Sequence, residues 1–104
     1  MAKYYVQSGD RKMVMTAADA QAAALWLVHR SLNDVMPAYD DRGMSAEDRC
    51  EIAMVHGLIN LDNTIAVSER GFDRSDAVTL DVFELIQTWH QLMTALIKLE
   101  SDLL

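Results

Sequence analysis

A chain of 104 residues, 51% hydrophobic and 24% charged, has enough apolar side chains for one folded domain, which excludes a disordered segment. Its 16 acidic and 9 basic residues give a formal net charge of −7, which disfavours binding to nucleic acid and to anionic membrane surfaces, because both need clustered Lys and Arg. The single cysteine, Cys50, leaves no partner for a disulfide within these residues.

The compartment is predicted from the same composition. One cysteine and seven methionines are typical of proteins in a reducing cytosol. Residues 1–5 contain no apolar signal region, and the longest apolar run, residues 22–28, is far shorter than a membrane span. We therefore expect a cytoplasmic chain.

The first predicted element is a β-hairpin formed by residues 4–8 and 11–16. Gly9 and Asp10 between them fit a two-residue turn of type II′, which favours glycine in the first position. The opposed residues on the more apolar face are Val6 with Met13 and Tyr4 with Met15. Because the register set by the turn agrees with the hydrophobic alternation, this segment predicts an antiparallel pair.

The second predicted element is a long helix over residues 17–35. Thr16 and Asp19 form an N-cap signal before an alanine-rich run, and Pro37 marks the expected stop. The residues expected to form its buried face are Ala20, Ala24, Leu27, Val28, Leu32 and Val35. Trp26 lies off that face beside His29 and Arg30, so these three residues are a candidate contact site. The alternative is that another helix or the sheet edge covers Trp26.

The middle of the chain predicts a loop, a short helix and a strand. Residues 38–43 are polar, and Ser45 with Asp48 gives a second cap signal before a helix over residues 46–56 that stops at Gly57. A longer extended run into Leu61 is the alternative. Residues 64–69 alternate like a strand, and residues 58–61 are a candidate partner strand.

Residues 69–76 hold the densest group of charged side chains and predict a loop. Loops often carry binding residues, so Arg70, Phe72 and Arg74 are candidates for an interaction site. Local ion pairs that order the loop would account for the same residues.

The last predicted element is a helix over residues 82–103, with Asp81 and Glu84 in a capping-box pattern. Alternating gaps of three and four place its apolar residues on one face: Val82, Leu85, Trp89, Leu92, Leu96, Leu99 and Leu103. We expect Trp89 to anchor the core and His90 to lie at the edge of the apolar arc. The last turns, including Leu104, carry more apolar surface than a small sheet and one other helix are expected to cover, which predicts a homodimer. The alternative is a monomer whose N-terminal hairpin covers the end of this helix.

Metal and nucleophile motifs are missing from the sequence. The three histidines are widely separated, and neither H-x-x-x-H nor C-x-x-C occurs. Cys50 follows the apolar spacing of its helix and is expected to be a small buried residue. We therefore predict no metal site, no cofactor and no catalytic residue.

These patterns together predict an α+β fold in one domain of residues 1–104, with a small antiparallel sheet, made of the N-terminal hairpin and a strand near residue 65, packed against two long helices. The leading functional interpretation is a non-catalytic module that binds a protein partner or its own copy, without nucleic acid or membrane. The alternatives are a small-molecule domain with a pocket between helix and sheet near Trp89 and His90, and an enzyme using dispersed histidines and carboxylates. The candidate interaction residues are Trp26, His29, Arg30, Arg70, Phe72, Arg74, Trp89 and His90.

Overall fold

A computed structural model describes residues 1–103, and Leu104 lies outside the described residues. Its four strands form one antiparallel sheet in the order β2-β1-β3-β4: β1 (Ala2–Ser8), β2 (Arg11–Ala17), β3 (Thr64–Ser68) and β4 (Val78–Asp81). The helices are α1 (Ala20–Ser31), α2 (Met36–Asp40), α3 (Ala46–Asn60) and α4 (Val82–Leu103), with a 3-10 turn at Asn33–Val35. The predicted α+β class, with an antiparallel sheet packed against helices, is confirmed.

The N-terminal hairpin has the predicted register. Val6 pairs with Met13, and Tyr4 pairs with Met15. Gly9 has a φ of 59°, and Asp10 does not share that positive φ, as a type II′ turn requires. The turn residues and the hydrophobic alternation were sufficient to predict the register, because both specify the same pairing.

The first helix is shorter than predicted. It begins after Asp19, whose Oδ1 accepts the Ala22 N–H at 2.8 Å, whereas Thr16 belongs to β2. It ends at Ser31, and Pro37 lies in the first turn of a new helix, α2, which begins at Met36. Proline is tolerated in the first turn of a helix, because the N–H it lacks would have no intrahelical partner there.

The prediction that residues 38–43 form a loop is therefore wrong for the part of that segment that belongs to α2. Tyr39 lies in this short helix and is 1% exposed, so it belongs to the core. Sequence analysis missed it because the surrounding residues are polar and only the tertiary packing buries the ring.

The third helix runs through Gly57 to Asn60, so the predicted stop and the candidate strand at residues 58–61 are both wrong. A Cβ at Gly57 would collide with the side chain of Ile86 in α4. Glycine at this position lets α3 and α4 approach closely. The sequence pattern indicated a helix end instead, because glycine is common just after the last residue of a helix. Instead, β3 pairs with β1 on one side and with β4 on the other, where Ile65 lies opposite Leu80.

The helices lie in layers on the sheet. α1 contacts all four strands, and α4 packs against α1, α2 and α3. In the first half of α4, four apolar residues are buried and Phe83 is 49% exposed; the buried ones are Val82, Leu85, Ile86 and Trp89. In its second half, Met93 and Ile97 are partly buried against the core, whereas four leucines are 51–79% exposed: Leu92, Leu96, Leu99 and Leu103. No helix in residues 1–103 is long and apolar enough to cross a membrane.

Candidate functional site

An open groove of about 490 Å³ lies between α1 and α4. α1 lines it with Ala22, Leu25, Trp26 and His29, and α4 lines it with Trp89, Leu92, Met93 and Leu96. These side chains are apolar except for the imidazole of His29 and the two indole N–H groups. The groove can therefore hold apolar groups by excluding water, with few polar atoms to orient a ligand.

Trp89 forms the base of the groove. Its side chain is 3% exposed, and its ring meets the Tyr39 ring edge-on at 5.1 Å between centroids. Its Nε1 donates a hydrogen bond to Nδ1 of His29 at 3.1 Å, which joins α4 to α1. Because Nδ1 accepts this bond, the neutral imidazole carries its proton on Nε2.

Trp26 forms the rim and is 54% exposed, so neither a helix nor the sheet edge covers it. Its ring lies edge-on to His29 at 5.7 Å between centroids. The three residues Trp26, His29 and Trp89 thus form a row from the surface to the base of the groove. Exposed tryptophan at the edge of an apolar groove is typical of interaction sites.

His90 lies on another side of α4, away from the groove. Its Nδ1 is 2.5 Å from the hydroxyl oxygen of Tyr39, and burial, followed by the positive charge of Arg49, lowers the pKa of His90 below its usual value. Adjacent residues on a helix point about 100° apart, so Trp89 and His90 face different neighbours. The groove therefore holds Trp89 without His90, and it lies between two helices rather than between helix and sheet.

Arg49 is a buried charged residue that sequence analysis missed. It is 8% exposed, its Nε donates to the carbonyl oxygen of Ala38 at 3.1 Å, and its Nη2 donates to the carbonyl oxygen of Asp41. Both acceptors belong to the end of α2, so the guanidinium caps that helix. Its spacing from Ala53 and Gly57, four and eight residues, was the available signal.

Tyr39 lies between Arg49 and His90. Burial, with a smaller contribution from Cys50, raises the pKa of Tyr39 to about 12. Cys50 itself is only half-buried, so its predicted burial is incomplete. The phenol therefore stays neutral and serves as a hydrogen-bonding partner in the core.

The charged loop packs on the outer face of the sheet. Phe72 meets the ring of Tyr5 edge-on at 5.2 Å between centroids, and Lys12 lies 5.4 Å from the centroid of Phe72. Arg74 binds Asp76 through two hydrogen bonds of 2.9 and 3.2 Å. Arg70 is also within 3.7 Å of Asp76.

The candidate residues thus separate into distinct places. Arg70 and Arg74 take part in local ion pairs that order the loop, which was the alternative interpretation. Arg30 is exposed on α1 and does not line the groove. Of the eight candidates, Trp26, His29 and Trp89 line the groove between α1 and α4.

The free energy of unfolding should fall as pH drops below the usual histidine value of 6.5. His90 has a lowered pKa in the folded state, so the unfolded chain takes up its proton first, and stability is lost until pH falls below the folded value. We expect urea denaturation to give a lower stability at pH about 5.5 than at about 7.5, and a smaller difference for His90→Gln.

This pH interval separates His90 from the carboxylates. Hydrogen bonds to Gln7 and Arg74, respectively, lower the pKa values of Asp73 and Asp76, so their contributions are lost only below the usual aspartate value of 3.8. An equal pH dependence in the wild type and in His90→Gln would show that His90 does not cause the change.

A comparison with known proteins finds no match to this chain among protein-family models, curated proteins or solved structures. Within the described part, residues 1–103, no group of three or more His, Cys, Asp or Glu is placed to hold a metal ion.

Proposed function

We propose that this domain is a non-catalytic interaction module that binds an apolar protein helix in the groove between α1 and α4. The observation that carries the proposal is the continuity of exposed apolar side chains along one face. Leu92 and Leu96 line the groove, and Leu99 and Leu103 extend the same row beyond it. Contiguous apolar patches of more than a few hundred Å² usually mark interaction surfaces.

The shape and chemistry of the groove favour a helix as the ligand. A helix presents apolar side chains at intervals of three and four residues, which suits a long groove between two other helices. Trp26 supplies a large, half-exposed ring at the rim, and tryptophan is enriched among residues that dominate binding energy. The net charge of −7 and the lack of Lys and Arg among the lining residues disfavour a nucleic acid ligand.

A small apolar molecule is the second candidate ligand. The groove volume of about 490 Å³ is in the range of small-molecule sites, and the His29 imidazole is a polar group that could orient such a ligand. The apolar row continues past the groove to Leu103, which is more surface than a small molecule needs. This extension favours the protein ligand.

A cytoplasmic location is part of the proposal. The single cysteine and the seven methionines suit a reducing compartment, where an exposed methionine or a lone thiol is less often oxidised. A protein partner in the same compartment is therefore the class of ligand to test.

The test uses a synthetic helical peptide with four leucines at alternating spacings of three and four in an Ala/Lys/Glu background. We expect fluorescence anisotropy to detect binding of this peptide by the wild type. Binding should weaken at least about tenfold in Leu96→Glu, because a charge would be placed in the apolar contact. Protein and peptide are kept at low micromolar concentration.

The controls are a second protein variant and a second peptide. Val14→Glu changes a residue that is 47% exposed on β2, away from the groove, and should leave binding unchanged. A peptide of the same composition with scattered leucines should bind weakly. Equal affinity for both peptides, or for Leu96→Glu and the wild type, would contradict the proposal. Groove-dependent binding of indole without peptide binding would favour the small-molecule alternative.

A further inference from the structure

The apolar face of α4 follows a coiled-coil period over its whole length. Its spacing alternates strictly between three and four, an average of 3.5 residues, which is the seam of a left-handed coiled coil. The first half of this seam is buried in the core and consists of Val82, Leu85 and Trp89. From Leu92 onward the same seam is at least half exposed in the described chain.

We propose that the helix that occupies the groove is α4 of a second copy of this chain, in an antiparallel pair around a two-fold axis. This inference rests on the proposed function, since it names the ligand of the same groove. With the axis between Ile97 and Lys98, Leu92 lies opposite the partner's Leu103, and Leu96 lies opposite the partner's Leu99. These are the alternating pairs that an antiparallel seam of this period forms.

The charges beside the seam favour the antiparallel direction. The flanking positions along the exposed half of α4 are Met93, Ala95, Glu100 and Asp102. In the antiparallel pair, Glu100 lies beside the partner's Met93, and Asp102 lies beside the partner's Ala95. A parallel pair would gather the Glu100 and Asp102 residues of both copies at one end, and like charges at such distances repel.

The length of the exposed seam also suits this arrangement. From Leu92 to Leu103 the helix advances about 16 Å, so the two copies overlap only along their exposed halves, and the rest of each domain lies at opposite ends. The partner's Leu103 then reaches the part of the groove near Leu92 and Trp26. The same partner helix therefore contacts both the exposed seam and the adjoining part of the groove.

The area is sufficient for a reversible dimer. Four leucines that are 51–79% exposed and Trp26 at 54% together present several hundred Å² of apolar surface on each copy. Stable complexes bury about 800 Å² on each partner, so this seam with its flanks lies near the lower end of that class. We expect a dissociation constant on the order of 10 μM.

Sedimentation equilibrium of the intact chain at about 100 μM tests the dimer, because most of the protein would then be paired. The expected mass approaches twice the 11.7 kDa of the chain. Leu99→Glu should return it to the monomer mass, since it places a charge in the seam. Leu99 is 56% exposed and does not line the groove, so folding should be retained and is checked by circular dichroism.

The matched control is Ile59→Glu, which changes an apolar residue on α3 that is 76% exposed. This variant should remain a dimer. A dimer that Leu99→Glu does not split, or that Ile59→Glu splits equally, would overturn the proposed seam.

Disulfide crosslinking in a Cys50→Ser background tests the direction. Ala95→Cys mixed with Asp102→Cys should crosslink at least about tenfold faster than Ala95→Cys mixed with Glu100→Cys, because only the first pair is adjacent in the antiparallel seam. The reverse preference would identify a parallel pair and overturn the antiparallel arrangement.

The two proposals fail in different ways. Suppose that the protein is a monomer at about 100 μM but still binds the helical peptide through Leu96. This result would contradict the dimer proposal and support the interaction module. A monomer that binds neither peptide would remove both. A dimer split by Leu99→Glu, with the expected crosslinks, supports both.

Discussion

Replacing Trp89 with alanine is expected to lower the free energy of unfolding by about 3–5 kcal/mol, the range for large-to-small changes of core aromatic residues. Trp89 is 3% exposed, packs on the ring of Tyr39 and donates a hydrogen bond to His29. The substitution removes this packing and leaves a cavity where α1, α2 and α4 meet. Urea denaturation followed by circular dichroism at about 2 μM protein measures the loss with little contribution from any dimer.

Trp26→Ala is the matched control for this change. It removes the same side chain from α1, but at a position that is 54% exposed. We expect a loss below about 1 kcal/mol, as is usual for surface substitutions. A loss below about 1 kcal/mol for Trp89→Ala as well would contradict the prediction that Trp89 anchors the core.

Replacing Arg49 with methionine is expected to cost about 2–4 kcal/mol, because two carbonyl oxygens at the end of α2 would each lose a hydrogen bond from a charged donor. Each oxygen would keep only one backbone N–H, that of Asp41 or of Met44. The carbonyl groups belong to Ala38 and Asp41, and methionine can fill the space of the arginine stem without supplying an N–H. The same urea titration measures the loss.

A second measurement separates the charge of Arg49 from its packing. The positive charge of Arg49 contributes to the lowered pKa of His90, so Arg49→Met should raise that pKa in an NMR titration. Arg30→Met, at an exposed position on α1, is the control and should cost less than about 0.5 kcal/mol. Equal losses for the two arginine variants would show that the buried hydrogen bonds contribute little.

Elements defined by local chemistry were predictable from the sequence. The hairpin has a glycine turn whose register agrees with the alternation of Val6 and Met13, and both were observed as predicted. α4 has a cap at Asp81 and a strict apolar spacing, and its observed range is the predicted one. In each case, neighbouring residues alone determine the structure.

Elements defined by distant contacts were not predictable in the same way. Gly57 was interpreted as a helix stop because the reason for its presence, the side chain of Ile86, lies 29 residues further along the chain. Pro37 was interpreted as a stop because the short helix that contains it depends on a contact from Arg49 in α3. Tertiary contacts override local preferences at both positions.

The candidate site was partly predictable. Trp26 was selected because it lies off the buried stripe, and Trp89 because it lies on one, but their shared groove depends on how α1 packs against α4. His90 was grouped with Trp89 because they are adjacent in sequence, although a helix directs them to different neighbours. The charged loop was selected for its density of charges, and those charges instead pair with one another.

The two tryptophans make the groove an optical probe of its own occupancy. The intrinsic fluorescence comes from two tryptophans, because the sequence contains no third. Trp26 is exposed to water, whereas Trp89 is buried. Filling the groove must remove water from Trp26 while changing the surroundings of Trp89 far less. A shift of the tryptophan emission toward shorter wavelength therefore reports that a ligand covers the rim of the groove, and it needs no added label.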